Sequence, residues 1–293
     1  MNDLSNHFKF FAGLAELFAA RFLRPLWRRY PAHNSDDFDA LALFLDGYGF
    51  ARQGARPDFN HAAVDVVKAL RNQGQMLTDQ STPQKAWDMF RSCLQGQRLN
   101  PANSPLCPLG TSYERKTGHS STGGYSILEF LRQIEESNLP PNIVTLSKYS
   151  IQEDRVKLCH TKIGEINGIG PKIASLFLRD VATLSAVFPC KDRSLLQPVD
   201  VWIQRISSHL FQSELSKEIT AGFIVKQAIE SDVSPEAVNE GMWYFGSEIA
   251  GSEYRMSRAL DDLGYGKALL HEHIEAIRQE VLAWEHIHEG NKS

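Results

Sequence analysis

Two features of the sequence predict an all-α fold. Apolar residues recur three and four positions apart through most of the 293 residues, which is the spacing of one buried helix face. Helix-start signals, a serine or threonine followed by proline, open two of these stretches, at Thr82-Pro83 and Ser234-Pro235. No internal repeat or heptad array is visible. We therefore expect helices packed around a core, and a small sheet of two or three strands stays compatible with the sequence.

The composition is ordinary for a soluble globular protein. Hydrophobic residues make up 42% and charged residues 23% of a chain long enough for one large domain or two interlocked lobes. The formal net charge of −4 argues against a wide, non-specific electrostatic footprint on nucleic acid. It is compatible with a local basic face, or with a phosphate site built from backbone amides.

The first apolar stretch, residues 8–24, predicts an amphipathic helix packed on the rest of the protein. Lys9, Glu16 and Arg21 interrupt it, so it is too charged and too short to span a bilayer. No signal-peptide pattern precedes it. We expect a cytoplasmic, monomeric protein without a membrane partner.

Further helices are expected from apolar stripes and cap residues. They cover 37–48, 61–70, a segment from Thr82 through Leu94, a segment from Ser126 that ends before Pro140, a segment from Asp200 through Leu210, 214–230, a segment from Ser234 through Phe245, and 267–284.

The helical pattern breaks in a long loop, 99–125, which is rich in proline, glycine, serine and threonine. A loop of that length inside a compact domain is either functional or disordered. Five of its polar residues are candidates for lining an enlarged pocket: Tyr113, Glu114, Arg115, Lys116 and His119.

The most informative motif lies in the segment 163–180. Two glycines one residue apart predict a tight turn, and Pro171 directly after them suits the first position of a helix. Amides at a helix N-terminus attract an anion, and a DNA phosphate fits. We therefore expect the backbone of the turn to bind DNA phosphate, through Gly168, Ile169 and Gly170.

A second motif follows, since Asp200 lies 28 residues after Lys172 and directly after Pro198-Val199. Together the two motifs resemble the helix-hairpin-helix DNA glycosylases, whose signature is a leucine-proline-glycine-valine-glycine-x-lysine hairpin followed by a valine-aspartate segment. In this resemblance Gly168 and Gly170 match the hairpin glycines, Lys172 the catalytic lysine and Asp200 the catalytic aspartate. The close match covers residues 160–206.

The sequence departs from the family pattern at three places. Asn167 stands where proline is usual, and Trp202 stands where histidine is frequent. The interval between the motifs is also longer than in endonuclease III-like members, and we interpret residues 188–193 as an insertion. This longer spacing is similar to that of the archaeal 8-oxoguanine glycosylase branch.

The resemblance implies one unit of two interlocked helical lobes over residues 1–293, with the active site in the cleft between them. It implies double-stranded DNA as the partner. The four cysteines form no C-x-x-C pair and lack the closely spaced loop that holds an iron–sulfur cluster in some relatives. The ten histidines suggest no metal site either, so we expect neither a metal nor another cofactor.

Lys172 is the predicted nucleophile. Its amine would attack C1′ of a flipped nucleotide, expel the base and form a Schiff base, from which β-elimination cleaves the strand. A helix N-terminus and partial burial would both lower the pKa of this lysine, as amine catalysis requires. The alternative is a lysine that merely contacts phosphate.

Asp200 is predicted to take a proton from Lys172 and to counter the positive charge that builds on the sugar as the base leaves. A nearby carboxylate would also raise the pKa of Lys172, against the effect of the helix. The alternative is helix capping, a common role of aspartate after a turn.

Two weaker sets of residues complete the expected site. The resemblance implies that a late helix lines the pocket for the extruded base, where an aromatic face and an amide would hold it. It also implies that a wedge enters the duplex from the segment after an early helix. The pocket candidates are Asn239, Trp243 and Phe245, and the wedge candidates are Tyr48, Phe50, Arg52 and Gln53. Aromatic residues at this spacing also fit an ordinary core.

The expected activity is that of a DNA glycosylase with abasic-site lyase activity, and the motif spacing favours an oxidised purine, 8-oxoguanine. The 99–125 loop suggests a second substrate, a glucosylated hydroxymethylcytosine of viral DNA, which would make the protein a defence enzyme. The motifs are also compatible with a monofunctional glycosylase, in which water replaces Lys172 as the nucleophile, and with a non-catalytic DNA-binding protein on the same scaffold.

Overall fold

The computed structural model describes residues 2–51, 57–94, 103–108 and 124–290. Over these residues the protein is helical, as the sequence predicts, and contains no β-strand. An isolated parallel bridge joins Tyr125 to Ile166. No helix in the described part of the chain is both long enough and apolar enough to cross a membrane.

The described residues form 15 α-helices, numbered in chain order. They are α1 (Asn2–Ala12), α2 (Ala15–Phe18), α3 (Arg24–Arg28), α4 (Asp37–Phe44), α5 (Pro57–Asn72), α6 (Thr82–Cys93), α7 (Ile127–Glu136), α8 (Ile143–Gln152), α9 (Val156–Gly164), α10 (Pro171–Ser185), α11 (Val201–Phe211), α12 (Lys217–Glu230), α13 (Pro235–Tyr244), α14 (Glu253–Asp261) and α15 (Leu263–Gly290).

Shorter segments of a different helical type continue some of these helices. π-Helical turns lie at Ala19–Leu23, at Leu45–Gly49 directly after α4, and at Phe245–Ala250 directly after α13. A 3-10 helix covers Arg193–Leu196. π-Helical turns are rare in proteins, and those that occur often lie at functional sites.

The chain divides into two compact units. The terminal unit combines Met1–Ala19 with Val199–Ser293, and the central unit is Ala20–Pro198. The hairpin motif therefore belongs to the central unit, and Asp200 belongs to the terminal unit.

In the terminal unit, α1 packs closely against α13. A Cβ atom at Gly241 of α13 would overlap the carbonyl oxygen of Phe11, so glycine is required there. Phe8 and Phe11 of α1 are fully buried, and the Phe11 ring lies 5.7 Å from that of Phe245. The first residues of the sequence thus complete a core formed by its last hundred.

The expected single helix over residues 8–24 is wrong. Helix α1 ends at Ala12, a turn follows at Gly13 and Leu14, and the chain then passes through α2 and a π-helical turn. A glycine in a helix interior is less favourable than alanine by about 1 kcal/mol. Ending the helix before Gly13 therefore costs little free energy. Helix α14, which is short and mostly polar, was not expected from the sequence.

In the central unit, a buried polar network fixes α10 to its neighbours. Asp180 forms an ion pair with the adjacent Arg179, whose side chain is 2% exposed, and accepts a 2.8 Å hydrogen bond from the Tyr48 hydroxyl. The same hydroxyl accepts a 3.1 Å hydrogen bond from Trp27 Nε1. These bonds connect α3, the π-helical turn after α4, and α10, whose N-terminus carries the hairpin motif.

Part of the expected 99–125 loop lies in the core of the central unit. Residues 104–108 are buried, and the Pro105 carbonyl accepts a 2.7 Å hydrogen bond from the amide of Ile127, at the start of α7. The polar candidates of this loop lie outside the described residues: Tyr113, Glu114, Arg115, Lys116 and His119.

Candidate functional site

The hairpin is formed by α9, a turn of six residues and α10. Gly168 adopts the left-handed conformation, with φ of +77°, and a Cβ atom there would lie 2.5 Å from the Asn103 carbonyl oxygen. Gly170 is the N-cap of α10 in an extended conformation, and Pro171 occupies the first turn, as the sequence predicts. Only glycine fits at position 168, because both its φ and its contact exclude a side chain.

The amides of the turn differ in their availability. The amide of Ile169 donates a 2.9 Å hydrogen bond to the Ile166 carbonyl oxygen. The amides of Gly168, Gly170 and Lys172 make no hydrogen bond to any residue that the structure describes. Three unsatisfied donors at the start of a helix can bind an anion, so the phosphate-binding candidates are these amides, and that of Ile169 is already engaged.

Lys172 lies in the first turn of α10, and its side chain is exposed. It makes no ion pair or hydrogen bond with the described residues. The partial burial that we expected for this lysine is wrong. The amine is therefore accessible to a partner approaching from solvent.

His160 of α9 contacts the same end of α10. Its Nε2 atom lies 3.1 Å from the Pro171 carbonyl oxygen and 3.0 Å from Ser175 Oγ. Because a carbonyl oxygen only accepts, a neutral His160 carries its proton on Nε2. Burial lowers the pKa of His160, and the hydrogen bond to Pro171 opposes that shift. This residue was not among the sequence-based candidates.

The turn of the hairpin forms hydrogen bonds with two segments of the predicted 99–125 loop. The Asn167 side chain donates a 2.8 Å hydrogen bond from Nδ2 to the Cys107 carbonyl oxygen. The Asn167 amide donates a 3.0 Å hydrogen bond to the Tyr125 carbonyl oxygen. The apolar run of residues 105–108, inside an otherwise polar loop, was the signal in the sequence for this contact.

A second contact joins Tyr125 to the end of α9. Its hydroxyl donates to Glu165 Oε2 at 2.8 Å, and Lys162 Nζ lies 3.2 Å from the same oxygen. The Tyr125 hydrogen bond and then Lys162 lower the pKa of the Glu165 carboxyl. Lys162 is thus already paired at the hairpin.

Asp200 is the N-cap of α11. Its Oδ1 atom accepts a 2.9 Å hydrogen bond from the amide of Ile203, and its side chain is half-buried. Its Oδ2 atom makes no hydrogen bond to a residue in the described part of the chain. The capping role that the sequence suggested is therefore present, and one carboxylate oxygen stays available.

Trp202, in the first turn of α11, lies against the backbone of the terminal unit. A Cβ atom at Gly246 would be 2.9 Å from Trp202 Cβ. The Trp202 side chain therefore packs directly against the π-helical turn after α13. Arg205 lies over the Trp202 ring at 5.7 Å and forms a 3.4 Å ion pair with Glu253. Trp202 is therefore held by contacts with its neighbours in the terminal unit.

The three base-pocket candidates lie on or directly after α13 in the terminal unit. Asn239 and Phe245 are buried, and Trp243 is half-buried, with its ring 5.7 Å from that of Phe18. Phe245 packs against Phe10 and Phe11. Phe245 therefore has the surroundings of a core residue.

Two of the four wedge candidates are core residues, and the other two lie outside the residues that the structure describes. Tyr48 is 1% exposed and belongs to the buried network of the central unit, and the ring of Phe50, also buried, packs against Phe59 and Phe90. Neither ring is presented to a duplex in this conformation. Arg52 and Gln53 lie outside the described residues.

The chain matches no protein-family model, no curated protein and no solved structure.

Proposed function

We propose that this chain is a DNA glycosylase with an associated abasic-site lyase activity. The observation that carries the proposal is the hairpin. Its left-handed Gly168 turns the chain so that three amides at the start of α10 have no partner among the described residues, and the exposed amine of Lys172 follows directly. A phosphate acceptor and an accessible amine within one turn of each other suit covalent chemistry on a nucleotide.

In the proposed reaction, Lys172 Nζ in its neutral form attacks C1′ of an extruded nucleotide and the C1′–N bond to the base breaks. Opening of the sugar ring leaves an imine between Nζ and C1′. This imine makes the C2′ proton acidic, and its removal expels the 3′ phosphate by β-elimination. Hydrolysis of the imine then returns the free lysine.

Asp200 would supply the carboxylate of this reaction. Its Oδ1 atom is held by the α11 amide, which fixes the carboxylate, and Oδ2 is the oxygen left for proton transfer or for countering positive charge on the sugar. A carboxylate that caps a helix and keeps one free oxygen can serve both roles.

Borohydride trapping tests the proposal. Wild-type protein is incubated with duplexes that carry 8-oxoguanine or a preformed abasic site, with and without borohydride. Covalent capture together with base excision supports the bifunctional enzyme. Excision without capture would indicate a monofunctional glycosylase, and binding with neither would indicate a DNA-binding protein. A protein that does not bind duplex DNA would contradict the whole proposal.

An oxidised purine, 8-oxoguanine first, is the proposed substrate because of the motif spacing, and a glucosylated hydroxymethylcytosine of viral DNA is the second candidate because of the 99–125 loop. Replacement of residues 109–123 by a short glycine-serine linker distinguishes them. The variant must keep residues 103–108 and 124–126, since these are bound to the hairpin and to α7.

The linker variant and wild type are compared on duplexes carrying 8-oxoguanine, uracil, thymine glycol or the glucosylated base. A site built around hydrogen bonds to a substrate rejects analogues that lack them by as much as about 10⁴-fold. We expect substrate choice to change more than trapping on a preformed abasic site. Equal loss on every substrate would show that the loop is structural.

A further inference from the structure

The hairpin is held from inside by residues distant in sequence. Asn167, which is 7% exposed, occupies the position just before the left-handed Gly168 and donates two hydrogen bonds. The backbone bond reaches the Tyr125 carbonyl oxygen, and the side-chain bond reaches the Cys107 carbonyl oxygen, 60 residues away along the chain.

The side chain of residue 167 decides whether the second bond forms. A proline there has no N–H and could make neither bond, and an aliphatic residue could make only the backbone bond. The carboxamide of Asn167 is thus the group that bonds the turn to the carbonyl oxygen of Cys107. Because it is buried, its loss would leave the Cys107 carbonyl oxygen without this donor in a place shielded from water.

Two glycines, Gly168 and Gly124, allow the turn to lie close to the segments that Asn167 binds. A Cβ atom at Gly168 would overlap the carbonyl group of Asn103, which directly precedes the buried residues 104–108 that Asn167 binds. A Cβ atom at Gly124 would overlap the Glu165 carbonyl oxygen, so the 124–125 segment is equally close to the start of the turn. Asn167 directly precedes the outer amides, which we define as those of Gly168, Gly170 and Lys172, the three amides without a partner among the described residues.

We propose that Asn167 is a positioning residue, which holds the turn through Cys107 so that its outer amides grip a DNA phosphate. The inference rests on the proposed function, because it assigns Asn167 to the DNA affinity of that same hairpin. It implies that Asn167 acts on binding and not on the chemical step, since Lys172 lies in the regular helix after the turn.

The test compares Asn167→Ala with wild type on a duplex that carries an abasic site. We expect Kd to rise about tenfold, as for the loss of one buried hydrogen bond. The rate at which the borohydride-trappable intermediate forms at saturating DNA should stay within about twofold of wild type. Stoichiometric titration gives the active fraction, so that unfolded protein does not enter the Kd.

Asn142→Ala is the matched control. Asn142 lies in the same unit, is 2% exposed, and donates a 3.1 Å hydrogen bond from Nδ2 to the carbonyl oxygen of His33 while capping α8. It is expected to lower Tm at least as much as Asn167→Ala and to leave Kd unchanged. If Asn167→Ala does not fold, Asn167→Ser, which keeps a shorter donor, takes its place with an intermediate rise in Kd.

Two results would overturn this inference while the proposed function stands. In one, the Asn167 variants bind with wild-type Kd although wild type is trapped on DNA. In the other, Asn142→Ala weakens binding as much as Asn167→Ala does, so that general destabilisation explains both. A wild-type protein that neither binds nor is trapped would overturn the proposed function and this inference together.

Discussion

At the residue scale, Asp200 combines a structural role with a proposed chemical one. Its Oδ1 atom accepts the hydrogen bond from the Ile203 amide that caps α11, and Oδ2 makes no bond to a described residue. The two roles predict different consequences for different substitutions, because asparagine can still accept the capping hydrogen bond but carries no charge.

Asp200→Asn should lower the rate of base excision by about 10²- to 10⁴-fold, the usual contribution of a positioned acid–base group. Its Tm should stay close to that of wild type. Asp200→Ala, which also removes the cap, should in addition lose about 1 kcal/mol of unfolding free energy. Single-turnover excision and thermal unfolding measure the two effects. Wild-type excision by Asp200→Asn, together with early melting of Asp200→Ala, would leave Asp200 with the capping role alone.

His160 gives the hairpin a pH-dependent stability. Because burial lowers the pKa of His160, the unfolded chain takes up this proton at a higher pH than the folded chain does. The unfolded state therefore binds more protons below about pH 6.5, the ordinary pKa of histidine, and the free energy of unfolding falls as the pH drops through that value.

His160→Gln, which keeps an N–H donor for the Pro171 carbonyl oxygen, should remove this part of the pH dependence. We expect the Tm of the variant, relative to wild type, to improve as the pH is lowered from about 8 to about 5.5. Thermal unfolding over that range is the measurement. Parallel Tm curves for the two proteins would contradict the lowered pKa of the partly buried His160.

At the scale of the hairpin, Gly168 and Gly170 differ in conformation and surroundings, although both match the same turn motif in the sequence. Gly168 has a positive φ and the Asn103 carbonyl oxygen beside it, whereas Gly170 has φ of −98° and open space where a Cβ would lie. Gly168→Ala should therefore destabilise the protein itself. Gly170→Ala should leave the fold intact.

Gly170→Ala is thus the sharper test of a phosphate at the turn. If DNA backbone approaches Gly170 closely, the added methyl group should raise Kd about tenfold or more on every duplex sequence, because the hairpin reads phosphate and not bases. Gly222→Ala on α12, also with open space at the Cβ position, is the control and should bind normally. Unchanged DNA binding by Gly170→Ala, or loss on one sequence only, would contradict the phosphate site.

The buried network behind the hairpin should contribute strongly to stability. Burial, and then the negative charge of Asp180, raise the pKa of Tyr48, so its hydroxyl stays protonated and bridges Trp27 and Asp180. Tyr48→Phe leaves two buried polar groups without this partner and should cost about 2 kcal/mol of unfolding free energy.

Tyr30→Phe is the comparison, since the Tyr30 hydroxyl also donates to a carboxylate, that of Asp46, but is only part-buried. It should cost less than about 1 kcal/mol. Urea unfolding of both variants measures the difference. Equal costs would mean that burial of the network adds nothing to its contribution.

At the scale of the whole molecule, local signals were predictable and distant contacts were not. The helical class, the Gly170-Pro171 start of α10 and the cap by Asp200 follow from a few adjacent residues, and the structure contains all three. The apolar run 105–108 was a signal for burial, but the bond between Asn167 and Cys107 joins residues 60 positions apart, and local spacing does not identify such a partner.

The division into units also follows from distant contacts. Residues 2–12 pack with the C-terminal helices, because Gly241 lets α13 approach the backbone of α1 and the His7 ring binds the Leu260 carbonyl oxygen at 2.8 Å. The spacing of Phe8 and Phe11 predicted a buried face but not the partner of that face. Likewise, the family resemblance suggested a wedge at a place where the structure has the core residues Tyr48 and Phe50.

Lys172 is proposed to form the covalent bond to DNA, and mapping of the trapped adduct identifies the amine that reacts. Wild-type protein is trapped with borohydride on an abasic-site duplex, digested and analysed by peptide mass spectrometry, beside Lys172→Gln and Lys157→Gln, a substitution of an exposed lysine on α9. We predict an adduct on the peptide that contains Lys172 in wild type and in Lys157→Gln, and none in Lys172→Gln, which should stay folded and bind DNA. An adduct on another amine, or undiminished trapping by Lys172→Gln, would show that Lys172 is not the nucleophile.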